Sequence, residues 1–358
     1  MPAGRPLERI AVLGLGLIGG SLARRLAVRH EVACYDRDPT ARRAAAAAGL
    51  RTAGTLPAAV AGRDLILVAV PVPALPAVLA EVAAAADPGT IVSDVASVKG
   101  PALAAWRSAA QRKADGTNDE KPAAGRVRYV GGHPMAGSEL SGFAAADPEL
   151  FAGAAWVLCL EEDTDLAGWL RLAQLVTGIG GRVVPCTAAG HDAAVARISG
   201  LPHLLALTLA QVGAAAGPLA LSLAAGSFRD GTRVAGTRAE LTAALADGNR
   251  EQVTAALDEA VGVLAAMRAR MLAGESLLPA AEEGRAGYRR WTQQRDPGTE
   301  WVLHAADPDL ARQLLALGAA GSRVVEVDGP VLRGVRPGGR RGLWPGGQRG
   351  SAGHPSLP

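Results

Sequence analysis

Ile10-Ala-Val-Leu-Gly-Leu-Gly-Leu-Ile-Gly-Gly-Ser21 decides the first domain of this chain. The apolar run 10–13 reads as a buried strand. Gly14, Gly16 and Gly19 then stand at the G-x-G-x-x-G spacing, and a helical stretch follows from Ser21. Gly14 permits a tight turn, Gly16 lets the backbone approach a pyrophosphate, and Gly19 allows close helix–strand packing. Leu17 and Ile18 lie at the start of that helix, whose free N–H groups and dipole favour an anion. In a chain with 45 glycines the spacing alone is a weak signal. The strand before it, the helix after it and an acidic residue at the next strand end make it specific.

That acidic residue is Asp36, which closes the apolar run 32–35. A carboxylate there accepts hydrogen bonds from ribose hydroxyls and repels a 2′-phosphate, which favours NAD over NADP. Arg37 and Arg42 pull the other way, because an arginine accommodates the phosphate. Val70 and Pro71, where the apolar run 65–70 ends, complete the expected cofactor edge.

From residue 8 to about 94, apolar runs at 10–13, 32–35, 65–70 and 90–92 alternate with Ala-rich helical segments, the signature of βαβ units. After a polar insertion at 114–125, segments 128–130, 154–160 and 182–185 read as strands and 163–178 as a helix. From Thr187 onward the pattern is helical, through 188–215, 219–225, 238–246 and 250–273. The fold class is therefore α/β: a Rossmann-like, mostly parallel doubly wound sheet followed by an all-helical domain. The expected divisions are a dinucleotide-binding domain (7–186), an all-helical domain (187–284), a short α+β segment (285–330) and a disordered basic tail (331–358). Within 285–330, a strand at 300–304, a helix at 309–317 and a strand at 323–327 look like half of a regulatory module, too short to close a core.

Charge agrees with an ordinary soluble enzyme. The formal +3 is concentrated at the end: residues 331–358 hold five arginines and no acid, and removing those five charges leaves −2. No nucleic-acid partner is expected of such a body. Three scattered cysteines suit neither a disulfide framework nor a metal site. Residues 198–225 are apolar enough to raise a membrane span, but Pro202, His203, Gln211 and Pro218 interrupt them. A helix buried in a core or subunit interface is the better reading. The N-terminus carries no signal-peptide pattern, so a cytoplasmic protein is expected.

The chemistry points to Tyr129-Val-Gly-Gly-His-Pro-Met-Ala-Gly-Ser-Glu139. One titratable imidazole, His133, stands among glycines and a proline, a composition that brings backbone close to a ligand while pinning one side chain. Ser97 follows the strand at 90–92; it reads equally as an N-cap and as a hydroxyl aimed at the same crevice. Ser199 and His203 put polar groups into an apolar helix. Arg229, Asp230 and Arg233 follow in a Gly-punctuated junction, where an arginine fork suits a carboxylate.

Five blocks in this order resemble the prephenate dehydrogenases: GLGLIGGS (14–21), DVASVKG (94–100), GGHPMAGSELSG (131–142), LPH (201–203) and FRDGTR (228–233). That group includes the arogenate dehydrogenases of tyrosine biosynthesis, and the likeness covers roughly residues 8–275. The resemblance implies NAD-dependent oxidative decarboxylation of prephenate to 4-hydroxyphenylpyruvate, or of arogenate to tyrosine. It assigns His133 as proton acceptor and Ser97 as a hydrogen-bonding partner of that histidine or of the substrate hydroxyl. Arg233 would hold a substrate carboxylate, with His203, Ser199, Ser138 and Glu139 around the substrate and His191 and Asp230 behind them. It also implies a homodimer through the helical domain. A β-hydroxyacid dehydrogenase shares the domain order but needs a lysine base in its second domain, and no lysine follows Lys121. A dinucleotide sensor without chemistry would need no His133 loop.

Overall fold

The computed structural model describes residues 7–115, 127–137, 140–293 and 298–338. The expected insertion at 114–125 lies almost wholly outside them, as do Ser138 and Glu139. Strands β1 (Arg9–Leu13), β2 (Glu31–Tyr35), β3 (Arg51–Thr52), β4 (Leu65–Val68), β5 (Ile91–Asp94) and β6 (Arg128–Val130) form a sheet of order β3-β2-β1-β4-β5-β6. Every pairing in it is parallel. Between the strands run α1 (Leu17–Leu26), α2 (Pro39–Ala47), α3 (Leu56–Val60), α4 (Leu75–Ala85) and α5 (Gly100–Asp115). Local chemistry sets these starts. Asp38 caps α2 by accepting from the Thr40 N–H, with Pro39 at the first helical position.

The strands are buried on both faces. Ala11, Leu13, Ile66, Val68 and Val92 face a cluster shared with α3, α4 and α5. Ile10, Val12, Leu65, Leu67 and Ile91 face the other way, into a larger core. A second sheet closes that larger core, and here the structure departs from the single doubly wound sheet expected. After β6 the chain crosses in one residue to β7 (Gly132–Pro134), followed by β8 (Ala155–Cys159), α6 (Leu166–Gly178) and β9 (Arg182–Cys186). β7 pairs antiparallel with β8, and β8 parallel with β9.

The helical domain comprises α7 (Ala188–Val195), α8 (Leu201–Ala215), α9 (Pro218–Ser222), α10 (Gly226–Thr232), α11 (Ala239–Gly248), α12 (Arg250–Leu272) and α13 (Leu278–Gln293). The apolar stretch expected as one buried helix runs from a π-turn at Ala196–Gly200 into α8 and is interrupted at Gly217, whose φ is +88. It is not buried in the isolated chain either: Leu205, Leu209, Val212, Leu219 and Leu223 are exposed. By length and composition Ala188–Ala215 is the one candidate span among the described residues, with 22% of its window buried.

Two boundaries move. Helix α13 runs past residue 284, where the helical domain was expected to end. Residues 299–336 form β10 (Thr299–His304), α14 (Leu310–Ala319), β11 (Arg323–Asp328) and β12 (Val331–Arg336) rather than a separate half-module and a tail from 331. β12 lies between β10 and β11, and β11 joins β9, giving a second sheet of order β10-β12-β11-β9-β8-β7. The unit is indeed too small for its own core, so it borrows one: Leu310, Leu314, Val324 and Leu332 are fully buried in the cluster between the sheets.

Candidate active site

The glycine turn has the geometry a pyrophosphate needs. Gly14 has φ +95, and a Cβ on it would stand 2.4 Å from the Ala69 carbonyl oxygen. A Cβ on Gly19 would stand 1.8 Å from the Gly14 oxygen, so only glycine lets α1 start this close to β1. Around Gly16 there is open space, and the first-turn N–H groups of Leu17 and Ile18 face it without intrahelical acceptors. Val70 and Pro71 follow β4, with the Val70 nitrogen against Gly14. Asp36 ends β2, accepting from the Leu15 N–H at 2.7 Å and the Asp38 N–H at 2.8 Å. Arg42 donates to the Asp36 and Arg37 carbonyls and lies over the Tyr35 ring, while Arg37 is exposed.

His133 sits on β7, where the chain passes from one sheet to the other. Gly132 before it is pressed onto the end of β5: a Cβ there would meet the Asp94 carbonyl oxygen at 2.7 Å. The His133 Nδ1 lies 2.9 Å from His191 Nε2, and His191 Nδ1 lies 2.7 Å from Asp192 Oδ1. These contacts fix the protons. The Asp192 carboxylate is an acceptor, so His191 carries its proton on Nδ1 and presents a bare Nε2. His133 must then donate from Nδ1, which leaves its own Nε2 free as a proton acceptor.

Asp192 is held from three sides. Oδ1 also accepts from the Lys99 N–H at 2.8 Å and Oδ2 from the Gly100 N–H at 2.7 Å, so the carboxylate caps α5. Burial pushes its carboxyl up, but these bonds and the His191 ring outweigh it and hold it below the usual range. His133 is pushed well below an ordinary histidine, first by burial, then by His191 and the Lys99 ammonium. Its ring is therefore neutral, the form a base requires.

Beneath these residues lies a buried ion pair that the sequence did not reveal. Lys99 is 1% exposed and Asp94 0%. The ammonium donates to Asp94 Oδ1 and, at 2.6 Å, to the Gly132 carbonyl. Asp94 also accepts from the Ala96 N–H at 2.8 Å and the Tyr129 hydroxyl at 2.6 Å. Burial and the Asp94 carboxylate push the Tyr129 phenol up, keeping it a donor. Ser97 occupies the bend between β5 and α5, half-buried, its hydroxyl bonded to none of the described residues.

The remaining candidates form a second group in the helical domain. His203 donates from Nδ1 to the Ser199 carbonyl at 2.8 Å, and its Nε2 lies 3.5 Å from the Thr237 hydroxyl. Thr237 follows the 3-10 turn Arg233–Gly236. Arg233 is exposed and without an ion pair among the described residues. Asp230 departs from its expected place behind the site: it is exposed and paired with Arg229 at 3.5 Å. No hydrogen bond or ion pair among the described residues joins this group to His133. Asp192 was missed, although a His-Asp pair just inside the Thr187-capped start of α7 is a visible signal.

Comparison with known proteins gives a consistent answer. The family model described as "Prephenate dehydrogenase, nucleotide-binding domain" matches residues 18–185, and "Prephenate dehydrogenase, dimerization domain" matches 187–276. A prephenate dehydrogenase of Lactococcus lactis is 32% identical over 236 residues, spanning 64% of this chain and 61% of that one. The chain thus matches less than two thirds of that relative's length. A Corynebacterium glutamicum crystal structure, provisionally assigned as a prephenate dehydrogenase, is 36% identical with a TM-score of 0.79, covering 89% of this chain and 99% of that one. The prephenate dehydrogenase of Aquifex aeolicus, solved with hydroxyphenyl propionate and NAD+, shares the fold at 21% identity, with a TM-score of 0.70 and coverage of 80% and 99%.

Proposed function

This chain belongs to the prephenate dehydrogenase family, and from that premise we propose that it oxidises and decarboxylates prephenate to 4-hydroxyphenylpyruvate. The observation that carries the proposal is the His133–His191–Asp192 chain, which leaves one imidazole nitrogen bare in a neutral ring. NAD+, when bound, supplies the hydride acceptor. The glycine turn, the first turn of α1 and Asp36 suit its pyrophosphate and adenosine ribose.

His133 Nε2 takes the proton of the ring hydroxyl as hydride leaves the carbon that bears it. The C–CO2 bond then breaks, its electron pair enters the ring, and aromatisation drives the step. The developing imidazolium is stabilised through His191 by the Asp192 carboxylate. Ser97, whose hydroxyl is bonded to none of the described residues, suits the substrate oxygen or the imidazole. Arg233, without an ion pair among the described residues, suits a substrate carboxylate, with His203 and Ser199 beside it. Ser138 and Glu139, outside the described residues, keep the substrate-binding role that the family resemblance implies.

The exposed leucines and valines of α8, α9 and α12, within the segment matched by the dimerization-domain model, support a homodimer that covers them. The test is direct. Purified protein with NAD+ and either prephenate or arogenate is followed by absorbance of the reduced cofactor. Faster turnover of prephenate is expected; preference for arogenate would reassign the substrate, and turnover of neither sinks the proposal. His133→Asn lowers kcat by about two to four orders of magnitude with NAD+ binding retained.

A further inference from the structure

We infer that Lys99 is a positioning residue for the reaction proposed above: its buried ammonium ties the bend that carries Ser97 to the carbonyl directly before His133. The inference rests on that functional reading for what the two side chains do, but its geometry stands alone. Lys99 begins no surface pattern; it is 1% exposed, which for a lysine demands full pairing. Two of its three donor positions meet the Asp94 carboxylate and the Gly132 oxygen, groups on different sheets.

Each end of this strut lies within three residues of a candidate reacting group. Asp94 closes β5, and its Oδ1 also holds the Ala96 N–H, fixing the backbone immediately before Ser97. The Gly132 carbonyl belongs to the peptide that enters His133. The Lys99 backbone N–H adds a third link, to Asp192 at 2.8 Å, beneath His191. One residue therefore touches the supports of the hydroxyl, the imidazole and the relay behind it. A neutral side chain of the same length cannot bridge the carboxylate and the carbonyl. Both then relax, and the separation of hydroxyl and imidazole is no longer set.

The charge acts in the same direction. The groups that face His133 are His191 from α7 and Lys99 from the β5–α5 bend, with Asp192 and Asp94 behind them, and a cation here disfavours the imidazolium.

The experiment compares the parent with Lys99→Met and with Asp94→Asn/Lys99→Met. The double variant leaves no bare carboxylate, and replacing a buried pair whole is tolerated far better than breaking it. With prephenate, kcat is expected to fall about ten- to hundredfold in both, the scale of a misplacement of about 1 Å, with NAD+ affinity unchanged. In the cofactor-free protein, the His133 titration followed by NMR moves to higher pH in both while the thermal melt of the double variant stays near the parent's, since loosened packing would raise the titration as well. The proposal is overturned if the folded double variant keeps kcat within about twofold. It is equally overturned if kcat falls while the His133 titration stays in place, or if NAD+ affinity falls in step with kcat. An inactive parent would sink the functional reading, while the titration would still decide the strut.

Discussion

Replacing His191 with leucine removes the acceptor for the His133 Nδ1–H and the ring that donates to Asp192, and leaves the remaining bonds at the seam in place. The two rings meet at 2.9 Å in an edge-on arrangement, and His191 is 2% exposed, so no bulk water takes over the vacated role. A buried donor left unsatisfied costs about 1–3 kcal/mol. That cost falls on the one ring orientation that presents Nε2 to the substrate, because other orientations can turn the N–H towards solvent. At about 1.36 kcal/mol per factor of ten, kcat falls about five- to 150-fold. Asp192 keeps its bonds from the Lys99 and Gly100 N–H groups and loses one charge-assisted bond, so stability falls by about 1.5–3 kcal/mol. His191→Gln is the control: its amide oxygen reaches the position of Nε2 and still accepts from His133, so kcat stays within about threefold. The assay is the initial rate of cofactor reduction at saturating prephenate and NAD+, with NAD+ affinity from calorimetry and folding from thermal melts. A leucine variant within about twofold of the parent, or a glutamine variant as impaired as leucine, refutes the relay.

Three further outcomes follow from the same geometry. Because the folded His133 titrates well below 6.5, the unfolded chain holds a proton the native one lacks as pH drops below that value. Its contribution to stability is full above about pH 6.5 and declines below it, by up to about 1.4 kcal/mol per pH unit. Urea melts of the parent against His133→Gln at pH 5 and 7.5 isolate this contribution, and parallel pH dependences would rule it out. Gly19→Ala forces a Cβ to within 1.8 Å of the Gly14 oxygen, so α1 must move and NAD+ affinity is expected to fall at least about tenfold by calorimetry. Unchanged affinity would remove the glycine turn from the cofactor site. Ending the chain after Gln293 strips Leu310, Leu314, Val324 and Leu332 from the main core, at about 1.5–3 kcal/mol each. That is comparable with the whole stability of a domain, about 5–15 kcal/mol, so insoluble or unfolded protein is expected, and a soluble product with the parent's melting temperature contradicts the shared core.

The parts of this protein legible in its sequence are those where one residue type alone satisfies the backbone. Gly14 at φ +95 and the crowded Gly19 announce a nucleotide turn because alanine fits at neither. His133 stood out for the same reason, in a loop whose Gly132 admits no Cβ beside Asp94. What stayed hidden depends on partners distant in sequence. Lys99 reads as a surface charge until Gly132 and Asp94 converge on it. β12 reads as a basic linker because one of its two inward positions is Gly334, which Trp301 covers from the neighbouring strand. A glycine that makes room for an indole and a glycine that makes a linker flexible look alike in a string of letters.

The seam between the domains explains why this chemistry needs both. His133 belongs to a strand of the first domain, but its tautomer is set by His191 and Asp192 at the start of the second. Asp192 in turn caps α5 of the first domain through both oxygens, and its carbonyl accepts from Asn249 Nδ2 at 2.7 Å, a residue between α11 and α12. The helical domain therefore does more than carry substrate-facing groups: its docking determines which nitrogen of the base is bare. Residues 7–186 alone would retain the glycine turn, Asp36 and the Lys99 strut, yet lack the acceptor that holds the His133 proton on Nδ1. Cofactor binding is thus expected of one domain and base strength of the junction, so mutations at the seam are expected to lower turnover without touching the nucleotide.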